Sequence, residues 1–197
     1  AFTLKTFARL INDLGFDNVC IQDPHSDVTP ALLNNCELES VKSKLSTVSN
    51  YVIGRPDTQG AHPVWVFPDA GAMRRYKPIL CESRESGYHP VVTFAEKVRD
   101  YYTQKITSYK VYDADLVKGK AVIIVDDIIA HGWTMKFLVE ELVRYEPTSI
   151  TIYATHLENS FRTGVLYNMI KDKKIDVTIF TTNSIKRDWK EDFIKVI

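Results

Sequence analysis

The chain has 197 residues, 45% of them hydrophobic, enough to bury the core of one or two domains. Its 25 basic residues balance 25 acidic ones and no basic run forms a footprint, which argues against a nucleic-acid partner. No apolar stretch approaches membrane-spanning length, and the cysteines Cys20, Cys36 and Cys81 make neither a disulfide framework nor a metal knuckle, so the expected setting is a reducing cytoplasm without a membrane partner.

Leu4, Phe7, Leu10, Ile11 and Leu14 recur at helical spacing, and Gly15 is placed to stop that helix. Residues 18–22 read as a strand that ends at Asp23-Pro24-His25, and 29–50 read as two short helices. The Gly- and Pro-rich stretch 54–63 is a loop, 64–67 a short buried strand, and 70–76 the start of a basic helix. Residues 90–95 form a further strand, after which 97–111 turn polar, with tyrosines and charges but no helical period. Strand 121–125, helix 134–145, strand 149–155, helix 161–172, strand 176–181 and helix 187–195 then follow in turn. Strands alternating with helices predict an α/β fold, a mostly parallel sheet with helices on both faces.

The densest chemical signal lies at 121–135. The apolar run Val122 to Val125 ends in two adjacent carboxylates, Asp126 and Asp127, followed by His131-Gly132-Trp133-Thr134 and a helical pattern. A buried parallel strand reads as a continuous apolar run, and its C-terminal end is where open α/β sheets bind ligands. Two acids there accept hydrogen bonds from hydroxyls such as those of a ribose. A glycine loop opening a helix holds a phosphate through backbone N–H groups and the helix dipole. The plain structural alternative is an acidic strand end and a helix capped by Thr134.

Other segments carry the same ambiguity. His25 follows a strand and a proline, so its ring can bind metal or phosphate at a sheet edge, or decorate a surface turn. Asp69 ends an apolar strand before a helix, which suits a magnesium ligand, a ribose acceptor or an N-cap. Lys97 and Arg99 stand two apart on extended chain and so point the same way, either toward a transferring phosphoryl group or into solvent. Arg74 and Arg75 read as structural or subunit-contact residues. His156 ends a strand, and its role stays open.

Together these segments resemble the ribose-phosphate diphosphokinases, within the type I phosphoribosyltransferase fold. Residues 121–135 are similar to the family's phosphoribosyl-diphosphate signature, although His-Gly-Trp-Thr replaces its Thr-Gly-Gly-Thr loop. Asp23 to Asp27 resembles the segment that places a histidine near the nucleotide and its magnesium. Pro68 to Arg75 resembles the Pro-Asp-x-Gly-x-x-(Lys/Arg)-Arg segment, Glu96 to Arg99 the start of a mobile catalytic arm, and Thr182 to Ile185 a Thr-Asn-(Ser/Thr)-Ile run. The arm, with Tyr109 to Tyr112 beyond it, looks like a phage-type subgroup believed to pyrophosphorylate ADP-ribose in NAD salvage.

The resemblance implies an enzyme. The anomeric hydroxyl of a ribose 5-phosphate compound attacks the β-phosphorus of ATP, with Asp126 and Asp127 on the ribose and 131–134 on the 5-phosphate. Mg2+ sits near His25 and Asp69, and Lys97 and Arg99 are catalytic. It further implies that 1–45 are the tail of a first domain whose front is missing, that 46–197 are the second domain, and that the full-length protein forms homo-oligomers. Two rivals remain: a phosphoribosyltransferase that consumes the diphosphate with a base, and a non-catalytic partner subunit with a degenerate loop. For a 5-substituted ribose such as ADP-ribose, the Trp133 indole offers a surface on which a base can stack.

Overall fold

The computed structural model describes residues 2–82, 89–99, 101–102, 106–172 and 176–197, with the side chains of Phe2, Arg99, Ile106 and Thr107 outside that set. The chain divides into two compact units, Ala1–Ser43 and Lys44–Ile197.

In the first unit, helix α1 (Phe2–Asp13) runs to a turn where Gly15 takes φ +67°, a conformation that costs glycine little. Strand β1 (Val19–Gln22) pairs in parallel with β2 (Cys36–Glu39), in register from Val19↔Cys36 to Gln22↔Glu39. Asn12 joins α1 to the crossover by donating to Leu32 O at 2.9 Å and accepting from Asn34 N at 2.8 Å. The two helices expected over 29–50 are therefore a single turn, α2 (Val28–Ala31), and the helix α3 (Lys42–Ile53), with a strand between them. The chain leaves α2 through Asn35 at φ +49°, and the pairing of Cys36 to Glu39 with β1 claims residues that a helix would otherwise use.

The second unit holds a seven-stranded sheet in the order β5-β4-β3-β6-β7-β8-β9, parallel except where β4 meets β5. Its strands are β3 (Val64–Phe67), β4 (Val91–Arg99), β5 (Ile106–Val111), β6 (Ala121–Ile129), β7 (Ser149–Leu157), β8 (Val177–Thr181) and β9 (Ile194–Val196). Side chains alternate across the sheet. Val64, Val66, Val122, Ile124, Ile150, Ile152, Val177 and Ile179 form one core with helices α5 (Trp133–Val143) and α6 (Val165–Lys171). On the opposite face Phe67 stacks on Tyr76 of α4 (Ala70–Cys81) at 6.5 Å, and Phe180 meets Tyr51 of α3 edge-on at 5.0 Å. Helices thus cover both faces, as the sequence predicts, and each fully buried Val or Ile contributes about 1.5–3 kcal/mol.

Three further elements differ from the sequence expectation. Residues 97–99 and 106–111 of the polar stretch lie in β4 and β5, an antiparallel pair braced by Phe94 stacked on Tyr112 at 4.6 Å and by Tyr112 Oη donating to Glu96 at 2.6 Å. Helix 161–172 is split into a 3-10 turn, Asn159–Thr163, and α6, because Gly164 lies extended against the backbone of His131. No helix spans 187–195. Instead Arg162 grips Glu191 through two hydrogen bonds of 2.8 and 3.1 Å, Phe161 meets Trp189 edge-on, and Ile194 to Val196 add an edge strand beside β8.

Candidate sugar-phosphate site

Strands β4, β3 and β6 lie side by side and run the same way, so their C-terminal ends form one edge. The register pairs Val66 of β3 with Ile124 of β6, which sets Asp69 and Asp126 a few residues beyond neighbouring positions. Asp69 opens α4 as its N-cap, and its Oδ1 accepts from Ala72 N at 3.0 Å. Its Oδ2 receives Lys97 Nζ from β4 at 3.2 Å. The expected roles of Asp69 as cap and as site carboxylate are therefore compatible in one side chain.

β6 does not stop at Val125; it continues through both acids to Ile129. Exposure alternates along the strand, with Asp126 partly exposed and Asp127 buried, and both carboxylates turn toward Arg75. Asp126 lines a cavity of about 310 Å3 together with Ile128, Ile129 and residues 130–135. Asp127 is only 2% exposed and is not part of that lining. Arg75 of α4 reaches both, with Nη2 2.9 Å from Asp127 Oδ1 and 3.5 Å from Asp126 Oδ1. Asp127 N also donates to Asp126 Oδ1 at 3.0 Å.

Three carboxyls (Asp69, Asp126, Asp127) meet two cations (Arg75, Lys97) in these ion pairs. Burial, and then the neighbouring Asp127 carboxyl, push Asp126 well above the usual carboxylate range, with Asp69 adding to the effect. Burial alone would raise Asp69 too, but the Ala72 amide and Lys97 outweigh it and hold that carboxyl below its ordinary value. Burial also opposes the charge on Arg75, yet its acidic surroundings keep the guanidinium firmly protonated.

The loop at 131–134 has a fixed shape. Gly132 caps α5 at φ +77°, and a Cβ there would lie 2.7 Å from the Leu166 Cβ. A Cβ on Gly164 would lie 2.2 Å from His131 O, the atom that accepts from Val165 N at 3.0 Å. The first α5 hydrogen bond runs from Lys136 N to Gly132 O at 2.8 Å, so the amides of 133–135 have no partner within the helix and can receive an anion. Trp133 stands in the cavity wall, 53% exposed, stacked on Phe137 at 5.9 Å, and Phe137 stacks in turn on Tyr109. The indole forms part of the wall and leaves the cavity open.

The structure thus joins Asp126 to His131, Gly132, Trp133 and Thr134 around one cavity, and Asp69 to Lys97 beside it. Arg99 ends β4, but its side chain is outside the described set; the ladder shifts register between Val98 and Arg99, so the expectation that Lys97 and Arg99 share a face has no unbroken strand behind it. His25 belongs to the first unit, between β1 and α2. Among the described residues no group of three or more His, Cys, Asp or Glu is arranged to hold a metal ion. Magnesium commonly needs no such cage, since it keeps waters and substrate phosphate oxygens beside one or two carboxylates.

Sequence reasoning missed Arg75 as a site residue. Its signals were its place at the end of the Pro68 to Arg75 segment and on the helix that Asp69 caps, six residues after that cap. The Thr182–Ile185 segment also gains a place: Thr182 and Ser184 hydroxyls donate to Thr155 O at 2.8 and 3.1 Å, and His156 Nδ1 meets Ser184 Oγ at 2.8 Å. These contacts tie the ends of β7 and β8 together beside Ile128, the register partner of His156.

A family model described as a phosphoribosyl transferase domain matches residues 84–196. The ribose-phosphate pyrophosphokinase of Saccharolobus solfataricus is 28% identical over 159 residues, 80% of this chain and 50% of that protein. The corresponding protein of Sulfolobus acidocaldarius is 27% identical over 188 residues, 95% of this chain and 59% of its own length. The crystal structure of phosphoribosylpyrophosphate synthetase from Mycobacterium smegmatis shares the fold, with a TM-score of 0.73 at 20% identity over 100% of this chain and 59% of that one. The chain spans about half the length of the curated relatives it matches. The expected α/β fold of the type I phosphoribosyltransferase kind is the fold this chain has.

Proposed function

Since this chain belongs to the phosphoribosyl transferase domain family, we propose that its second unit carries the sugar-phosphate site of a ribose-phosphate diphosphokinase, an enzyme moving the diphosphate of ATP to the C1 hydroxyl of a ribose 5-phosphate compound. The observation that supports this most is the cavity that unites Asp126 with 131–134, next to the Lys97–Asp69 pair. The similarity to named pyrophosphokinases supports the choice of reaction over other phosphoribosyl chemistry.

In this reading the acid end of β6 meets the pentose hydroxyls, and the amides opening α5, with Thr134 and His131, take the 5-phosphate. The C1 oxygen forms a bond to the β-phosphorus, the bond from that phosphorus to the AMP oxygen breaks, and AMP leaves. Lys97 supplies positive charge as the phosphoryl group transfers, and Arg99 is assigned the same task from the resemblance. Lys97 is held by Asp69 in the ligand-free chain, so binding of the polyphosphate exchanges one partner of each for a phosphate oxygen or a metal. Mg2+ bound with ATP would neutralise the polyphosphate, with Asp69 as the carboxylate this unit offers it; a part for His25 rests on the resemblance alone. Trp133 makes a 5-substituted ribose such as ADP-ribose a reasonable acceptor, its base stacking on the exposed indole. Assembly into a homo-oligomer is carried over in the same way.

The test is AMP formation from ATP and Mg2+, with ribose 5-phosphate and with ADP-ribose as separate acceptors. AMP together with a ribosyl 1-diphosphate product is expected with at least one of them. Release of pyrophosphate from phosphoribosyl diphosphate on adding a base, without ATP, would move the assignment to a phosphoribosyltransferase. Failure to bind any ribose phosphate would leave a non-catalytic subunit.

A further inference from the structure

We infer that the adjacent aspartates divide their work: Asp126 meets the pentose, while Asp127 and Arg75 form a positioning unit behind it. This rests on the sugar-phosphate reading above and refines it, because the sequence motif treats the two acids as equivalent sugar ligands.

Three observations support the division. First, β6 continues through both residues, with Asp126 paired to Ala154 and Ile128 to His156, and along it the partly exposed Asp126 and the exposed Ile128 flank the buried Asp127. Second, Asp126 lines the cavity, whereas Asp127 is 2% exposed and absent from its wall. Third, Asp127 and Arg75 both contact Asp126 directly. Arg75 Nη2 bridges Asp127 Oδ1 at 2.9 Å and Asp126 Oδ1 at 3.5 Å, and the Asp127 amide donates to that same Asp126 oxygen at 3.0 Å. Two donors thus converge on Asp126 Oδ1, which favours Oδ2 as the acceptor for a sugar hydroxyl.

The arrangement also connects the two halves of the reaction. Arg75 lies on α4, the helix whose first turn is capped by Asp69 and so by the partner of Lys97. One rigid helix therefore fixes both the carboxylate beside the phosphoryl-transfer cation and the guanidinium that orients the sugar acid. Arg75 is a positioning residue in this account, acting on the pentose only through Asp126.

Among the described side chains, the charged and titratable groups facing Asp126 are Asp127 on its own strand, Arg75 of α4, His131 in the wall of the same cavity and, at longer range, Asp69 with its partner Lys97; Tyr76 adjoins Arg75. Their signs give a test that a merely structural role would not meet. The unsubstituted chain and its Asp126→Asn, Asp127→Asn, Arg75→Met and Arg75→Lys variants are titrated calorimetrically with ribose 5-phosphate, and separately with inorganic phosphate, across a range of pH. Removing Arg75 with Met takes a cation from Asp126, so the pH at which ribose 5-phosphate binding sets in moves up. Removing the Asp127 charge takes away a repulsion and frees Arg75 for Asp126, so the onset moves down. Asp126→Asn removes the part of the pH dependence that ribose 5-phosphate shows beyond that of inorganic phosphate, and weakens ribose 5-phosphate by about ten-fold or more, the scale of one charge-assisted hydrogen bond. Arg75→Lys restores most of what Arg75→Met loses, and inorganic phosphate, which needs only the 131–134 loop, binds all variants alike.

The inference is overturned if Asp127→Asn weakens ribose 5-phosphate as much as Asp126→Asn at every pH, the mark of direct sugar contact. It is equally overturned if Arg75→Met leaves the pH profile unmoved; should Asp127→Asn not fold, the Arg75 pair decides alone. If the unsubstituted chain binds phosphate but ribose 5-phosphate no more tightly at any pH, the sugar-phosphate reading itself fails and takes this refinement with it.

Discussion

Asp126 is held where its charge is disfavoured, by burial first and by the Asp127 carboxyl second, and that has a consequence for stability. A carboxyl whose pKa is raised on folding binds more protons in the native state than in the unfolded chain. The contribution of Asp126 to stability is therefore fullest at acid pH and is lost as pH rises from the ordinary value of 3.8 through the raised one. In thermal melts of the ligand-free chain, Asp126→Asn should gain on the parent as pH rises from acid to neutral, and should melt higher than the parent at neutral pH. Asp69 works in the opposite sense, contributing stability that is present above 3.8 and lost as pH falls below it. At Trp133 the prediction concerns specificity. Trp133→Ala should leave ribose 5-phosphate affinity within about two-fold but weaken ADP-ribose by about 1–3 kcal/mol, the worth of one base stacked on an aromatic ring. Equal losses for both ligands in parallel titrations would refute base stacking.

At the scale of elements, the site depends on how two helices begin. Asp69 caps α4 through Ala72 N, so Asp69→Ala should cost about 1 kcal/mol in urea unfolding, whereas Asp69→Asn, a good cap itself, should cost much less. If Asp69 also serves the phosphoryl-transfer step, both variants should lose activity alike, which separates the cap from the chemistry. The loop before α5 is fixed by a glycine that is distant in sequence. Gly164→Ala would drive a methyl to 2.2 Å from His131 O, so the loop must shift. A loss of about 1–3 kcal/mol in stability and of phosphate binding together is expected, whereas Gly60→Ala, with nothing within 4 Å of its Cβ, should cost only its left-handed backbone strain and leave phosphate binding intact. The sequence made β3, β6 and α5 legible because their apolar runs and helical period are strong. It hid β2, a four-residue strand with no fully buried side chain, and β5, which lies within a polar stretch, and it suggested a helix at 187–195, where the Arg162–Glu191 pairing and the β8 edge decide the conformation instead.

For the molecule as a whole, sheet order converts scattered motifs into one site. Asp69, Lys97 and Asp126 are far apart in the chain and come together because β4, β3 and β6 are neighbours with parallel ends. Motif spacing conveyed that these residues mattered, but it could not convey that β6 runs on past its acids or that Arg75 stands between them, since both depend on packing across the sheet. The most direct measurement of the central claim is a crystal of this chain soaked with ribose 5-phosphate. The account predicts the sugar hydroxyls at Asp126 Oδ2 and the phosphate on the amides opening α5, with Trp133 still stacked on Phe137. A ligand bound elsewhere, or a phosphate seated at 131–134 with its pentose turned away from Asp126, would contradict it.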